Sequence, residues 1–225
     1  MRIEHIENGF LTIFENKIVD KVLCKYDESC TIIFHDKSCK ELKLNFSSYN
    51  SQYGIPVSED GRILFVSSWE EGLFAYDIAS GSVIWHLKTS RITSIVVHPT
   101  YVSTQKYGES IIKLSIDSGK VLSEIKSGTI ETQFHLGGPH ILVNSIKGKL
   151  SVVDTDKMLV TKKYRPKIVN PSNSLSIIIQ NAVLEKNELT IFGLEDDGCG
   201  TSFGVTNQRV FERIIDKNFS TLSNK

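Results

Sequence analysis

Histidines, cysteines and carboxylates are the side chains through which this 225-residue chain could hold a metal, attack a bond or move a proton. The histidines are His5, His35, His86, His98, His135 and His140. A metal site needs imidazoles or thiolates spaced to converge, as in His-x-x-x-His on a helix or in Cys-x-x-Cys pairs; neither spacing occurs. His135 and His140 flank the turn Leu136-Gly137-Gly138-Pro139, so a hairpin there would carry two rings. Cys24, Cys30 and Cys39 fall close together with Cys199 far away. They read as reduced thiols that fill space like small apolar residues. Gly198-Cys199-Gly200 is a short glycine run with no helix start behind it to offer aligned amides to a phosphate. No Gly-x-Ser-x-Gly elbow is present, and no Ser, His and Asp set is tied together by spacing. The expectation is a non-catalytic protein with no cofactor and no metal.

The remaining candidates are charges. Twenty-six Lys and Arg balance 26 Asp and Glu, which argues against both a basic nucleic-acid module and an acidic disordered tail. An apolar share of 40% supplies a sizeable core. The opening MRIEHIENGF places Arg2, Glu4 and Glu7 where an export signal would need an apolar run. Stretches such as Ile92–Val97 and Leu175–Ile179 are far shorter than the ~20 residues of a membrane helix. A cytoplasmic chain with no membrane or nucleic-acid partner is expected.

What must position these residues is a repeat. An alternating apolar run ends in Asp, a polar turn follows, and a second alternating run begins: TIIFHD36, GLFAYD77, SIIKLSID117 and KLSVVD154, with a looser copy at TSFGVT206. The separations are 41, 40, 37 and 52 residues, close to the roughly 40–45 of a four-stranded propeller blade. β-Branched and aromatic residues alternate with polar ones over five to seven positions, a strand signal. After each marker, as in Asp77-Ile78-Ala79-Ser80-Gly81 or Asp117-Ser118-Gly119, Asp can accept backbone amides and Gly can take positive φ. The resulting map has strands at residues 10–14, 22–26, 31–35 and 41–46; 54–57, 63–67, 72–76 and 82–87; 92–97, 101–105, 110–116 and 120–125; 131–136, 140–145, 149–153 and 159–164; 175–180, 188–194, 201–205 and 209–215. It predicts an all-β fold in one domain over residues 1–225: a five-bladed β-propeller of four-stranded antiparallel blades. The spare strand Arg2–Ile6 would pair with the last blade and close the ring.

The stretch Asp60 to Trp85 resembles the repeat of the PQQ-like, or quinoprotein-like, β-propellers: a D-G turn, a strand, G-x-[LF]-x-A-x-D, then [ST]-G-x-x-x-W. The positions are Asp60, Gly61, Gly72, Leu73, Ala75, Asp77, Ser80, Gly81 and Trp85, echoed by Asp117, Ser118 and Gly119 and by Gly148, Leu150 and Asp154. The Trp-Asp dipeptide of the related WD40 repeats is missing. The resemblance implies a PQQ-like or WD40-like propeller and leaves function open, because such repeats serve enzymes, assembly factors and binding proteins alike. Quinoprotein enzymes of this family are longer and carry cofactor ligands without counterparts here. Trp85 is expected to pack between blades.

On this map the loops between second and third strands share a face with the connections between blades. That face collects Asp27, Glu28, Glu70, Glu71, Glu109, Glu195, Asp196 and Asp197, with Lys147 and Lys149 as exceptions and with Trp69, Tyr107, Tyr49 and Tyr53 nearby. The opposite hairpins carry Lys37, Lys40, Lys120, Lys157 and Arg209. Aromatic anchors inside an acidic rim suit a basic protein partner. The expected function is therefore protein binding, in its sharpest form an immunity protein neutralising a cationic toxin such as a nuclease. The alternatives are a carbohydrate- or small-ligand-binding propeller, which should repeat its pocket in each blade, and a glycosidase, which needs facing carboxylates in the central channel.

Overall fold

The computed structural model describes residues 2–6, 9–13, 18–25, 29–44, 55–126, 130–145, 149–164, 176–196, 208–217 and 219. They form 19 strands in five antiparallel sheets. The first sheet contains β1 (Arg2–Ile6), β2 (Gly9–Ile13), β3 (Val19–Lys25), β4 (Ser29–Phe34) and β5 (Cys39–Lys43) in sequential order. The second holds β6 (Ile63–Ser68), β7 (Gly72–Asp77) and β8 (Val83–Leu87). The third holds β9 (Ile92–Val97), β10 (Tyr101–Lys106), β11 (Ser110–Ser115) and β12 (Val121–Lys126). The fourth holds β13 (Ile130–Gly137), β14 (His140–Ser145), β15 (Leu150–Asp154) and β16 (Leu159–Tyr164). The fifth holds β17 (Ser176–Glu185), β18 (Glu188–Asp196) and β19 (Gln208–Asp216). Two compact units result, Met1–Lys126 and Ser127–Lys225.

In the first unit, β6 is buried along its whole length. Leu64 and Val66, with Tyr76 and Ile78, join a core with Val22, Cys24, Ile32 and Leu42 of the first sheet. Ile63 and Phe65, with Leu73, Ala75 and Trp85, join a second core with Ile92, Val102, Ile112 and Leu114 of the third sheet. A strand covered on both faces reads as an unbroken apolar run, which is why Ile63-Leu64-Phe65-Val66 lacks alternation. In the second unit, Phe134, Leu142 and Val152 pack with Ala182, Leu189 and Ile191.

The marker aspartates work as turn caps. Asp36 accepts the Ser38 amide at 2.9 Å, Asp77 the Ser80 amide at 2.7 Å, and Asp154 the amides of Asp156 and Lys157 at 3.0 Å each. Asp117 instead accepts Arg62 from the preceding sheet at 3.2 Å. Beside it, the Trp85 indole donates to the Ile116 carbonyl at 2.8 Å, and Gly119, at φ 65°, lies under the Trp85 ring. Trp85 thus fastens the outer strand of one sheet to the turn of the next.

Four expectations need correction. β1 pairs with β2, Ile6 opposite Gly9, and among the described residues not with the last blade; a local hairpin closes a far shorter loop than a partner some 200 residues away. The predicted strand at 54–57 is reduced to an isolated bridge between Val57 and Leu64, with Gly54 outside the described residues. The last unit runs on two long strands, β17 and β18, joined by Lys186 and Asn187, both at positive φ, and β19 pairs directly with β18; the predicted strand 201–205 lies outside the described residues. Finally, Cys24 and Cys30, expected as free thiols, form a disulfide. They stand directly opposite each other on β3 and β4, and a cross-strand pair with Cα atoms 4.3 Å apart is within bridging reach. Cys39 is free and exposed rather than core-filling; Cys199 lies outside the described residues.

Candidate functional site

Three segments of the first unit meet at one end of the second and third sheets: the β6–β7 turn (residues 69–71), the β8–β9 connection (88–91) and the β10–β11 turn (107–109). The connection is the keystone. The Arg91 amide donates to the Trp69 carbonyl at 2.6 Å, and the Tyr107 amide donates to the Arg91 carbonyl at 2.8 Å. Arg91 manages both by adopting φ 64°, a strained choice for a long side chain that surrounding bonds must hold in place. Gly72, at φ 102°, lets the connection pass so close that a Cβ there would run into the carbonyl oxygens of Leu87 and Thr89. The backbone frame therefore sets the two aromatic residues side by side: the Trp69 and Tyr107 rings lie 5.7 Å apart at 55°, a tilted contact favoured by their quadrupoles. Both are half-buried.

The carboxylates around this pair differ in circumstance. Glu109 is held by Lys106 at 2.6 Å and by Arg91 at 2.9 Å; the hydrogen bond from Lys106, then the charges of Lys106 and Arg91, keep its carboxyl below the ordinary glutamate range. Glu70 and Glu71 are exposed, and neither is in an ion pair among the described residues. The Glu71 backbone is fixed nonetheless: its amide donates to Ser68 Oγ at 3.2 Å, and its carbonyl accepts His86 Nε2 at 2.6 Å, with the His86 ring stacked on Phe74 at 3.8 Å.

Trp69, Glu70, Glu71, Tyr107 and Glu109 therefore share one end of two adjacent sheets. Asp27, Glu28, Asp197, Tyr49 and Tyr53 lie outside the described residues. Glu195 and Asp196 were expected in a loop but belong to β18, in register with Arg209 and Gln208; the strand runs two residues longer than its apolar pattern because β19 continues to pair with it. The face expected to be acidic, with Lys147 and Lys149 as its exceptions, carries further cations here. Lys88, Arg91 and Lys106 occupy the same end of these sheets, so the surface is mixed, with Glu109 neutralised from within. Arg91 and Lys106 were missed because their role depends on three segments meeting; the one available signal was that both flank the same predicted connections as the acids. His135 is exposed and bonds the Gly138 carbonyl while His140 is buried, so that hairpin does not present two available rings. Among the described residues no group of three or more His, Cys, Asp or Glu could hold a metal.

No protein-family model and no curated protein matches the chain. Solved structures do. BamB from Moraxella catarrhalis superposes with a TM-score of 0.64 at 13% identity, over 93% of this chain and 66% of that one. The β-propeller domain of Cps50 (Swd1) from Myceliophteria thermophila superposes with a TM-score of 0.60, also at 13% identity, over 92% of this chain and 72% of that one. The fold is that of a β-propeller. This chain spans just under two thirds of the BamB chain. At such low identity the likeness concerns the fold alone, and the absence of the Trp-Asp dipeptide leaves blade packing to residues such as Trp85.

Proposed function

We propose that this propeller is a non-catalytic, protein-binding scaffold that engages its partner through the Trp69–Tyr107 platform, with five blades forming a single ring-like domain. The observation that carries the reading is the pairing of two large aromatic side chains, half-exposed, on a backbone frame rigid enough to present them without further ordering. Trp and Tyr dominate interface hot spots, and a preorganised pair loses little entropy on binding. Glu70 and Glu71, free of ion pairs among the described residues, favour a basic segment at the rim; Lys88 beside them keeps this preference local. The repeated pocket expected of a lectin has no support, since the Trp69–Tyr107 contact joins two different loops rather than recurring in each.

The test is a binding titration with a partner captured by the intact chain and identified. Trp69→Ala should weaken binding at least tenfold, and Glu70→Lys with Glu71→Lys should weaken it and reverse its salt dependence. Affinity unchanged in both variants would overturn the assignment of this face. The narrower reading, neutralisation of a cationic toxin such as a nuclease, rests on sequence reasoning alone; failure to protect cells from the product of an adjacent toxin gene would eliminate it.

A further inference from the structure

We infer that the Cys24–Cys30 bond is a permanent structural disulfide, installed by an oxidising environment, so that the mature chain works outside a reducing cytosol. This reverses the localisation suggested by the N-terminal sequence and is independent of the proposed binding face. Three observations carry it. The two residues are register partners one pair in from the turn end of the β3–β4 ladder, with Cα atoms 4.3 Å apart, so an oxidant can join them once the hairpin forms, without backbone movement. Both are wholly inaccessible and belong to the core that joins the first and second sheets. Their pairing is also unambiguous locally: Cys39, on the neighbouring strand, is exposed and in register with Ile33, not with either bridged residue.

Burial determines the chemistry. A disulfide is broken by a thiolate attacking one sulfur along the S–S axis, and neither sulfur can be reached while both cysteines stay wholly buried in the core they share with Val22, Ile32, Leu42 and Leu64. Formation must precede closure of that core. In it, the thiolate of one cysteine attacks a small-molecule disulfide such as oxidised glutathione, expelling one reduced thiol. The second cysteine then attacks the mixed disulfide and expels the other; the two protons pass to the departing thiolates. Two cysteine thiols are oxidised and one glutathione disulfide is reduced to two thiols. Once the core closes, the bond is shielded in both directions. A regulatory disulfide would need an accessible sulfur.

The experiment uses the full chain refolded with oxidised glutathione, then incubated with dithiothreitol with and without urea, quenched with an alkylating reagent and mapped by peptide mass. The expected result is a Cys24–Cys30 cross-linked peptide that resists reduction in buffer at least a hundredfold longer than in urea, while Cys39 alkylates at once. Equal reduction rates with and without urea, or Cys24 or Cys30 paired with Cys39, would overturn the structural assignment. For the compartment, cells that naturally make the protein are quenched in acid and alkylated. Bridged protein is expected, and a folded pool with Cys24 and Cys30 both alkylated would overturn the inference. A Cys24→Ala, Cys30→Ala variant that keeps the binding behaviour of the intact chain would separate this result from any failure of the binding face.

Discussion

The Trp85–Gly119 contact gives the most demanding test of the packing between the second and third sheets. Gly119 sits at φ 65°, and a Cβ built there lies 2.6 Å from two atoms of the Trp85 ring. Gly119→Ala therefore incurs two costs: roughly 1 kcal/mol for placing a side chain in the left-handed region, and about 1–3 kcal/mol for forcing a ring out of a packed site. The ring has little room to give, because it is only 8% exposed, lies 5.9 Å from Phe65 and is tethered through its indole nitrogen to Ile116. Gly119→Ala should then lose about 2–4 kcal/mol, or roughly 4–16 °C in Tm for a chain of this size. Trp85→Ala should lose about 3–5 kcal/mol through the cavity alone. The decisive quantity is the coupling. With Ala at 85 the Cβ at 119 meets no ring, so only the backbone cost remains and Gly119→Ala should become about 1–3 kcal/mol cheaper than in the parent. Urea unfolding of the four chains, followed by circular dichroism, measures this. Equal cost for Gly119→Ala in both backgrounds would refute the claim that Trp85 seals the neighbouring turn.

Other outcomes follow from single contacts. Removing the disulfide as Cys24→Ala with Cys30→Ala frees a loop of sequence separation 6, worth about 2 kcal/mol of unfolded-state entropy; urea midpoints with and without reductant should agree for the variant and differ for the parent. Burial, then the hydrogen bond to Asp216 at 2.7 Å, pushes the Tyr164 hydroxyl well above its ordinary 10.0. The folded chain thus holds a proton that the unfolded chain releases, so stability is complete below about pH 10 and falls as pH rises past it; Tyr164→Phe should flatten that decline in alkaline unfolding curves. At the other extreme, the Ser80 amide and hydroxyl hold the Asp77 carboxyl below 3.8. Its contribution is present above that value and is lost as pH falls through the lowered one, so Asp77→Asn should reduce acid sensitivity below about pH 4, measured by thermal melts across pH.

Short-range chemistry made much of the fold legible. The strands of the second to fourth sheets were readable because alternation and the Asp turn lie within about ten residues of each other, and Asp77 and Asp154 cap the amides that their spacing implied. Trp69 and Tyr107 could be placed on one surface because each follows a strand whose register was clear. Features that depend on separated segments were opaque. Arg91 bridges two turns only because the connection folds back between them, and Cys24 faces Cys30 only because β3 ends at Lys25 and β4 begins at Ser29, earlier than the strand ends at 26 and 31 that the map had. The long hairpin of β17 and β18 was hidden by its turn: Lys186 and Asn187 take positive φ without a glycine to announce it.

The outer strands show why alternation alone is an incomplete guide to what such a protein presents. β8, β12 and β16 each begin with an apolar pair on the surface, Val83-Ile84, Val121-Leu122 and Leu159-Val160, with Val83 at 47% and Leu122 at 51% exposure. Among the described residues each of these strands pairs on one side, so its far edge would offer backbone donors and acceptors to any extended chain, and apolar side chains would strengthen the pairing. The same strands each carry one surplus residue. Ile84 is skipped between the pairs Ala75–Trp85 and Tyr76–Val83, Leu122 between Lys113–Ser123 and Leu114–Val121, and Thr161 between Val152–Lys162 and Val153–Val160. A bulge bends the strand and breaks its ladder, so an incoming chain finds no long regular run of partners beside the apolar pair. The edges are thereby blunted where they are stickiest, which under the proposed function leaves recognition to the loop end, where Arg91 bonds the backbones of Trp69 and Tyr107.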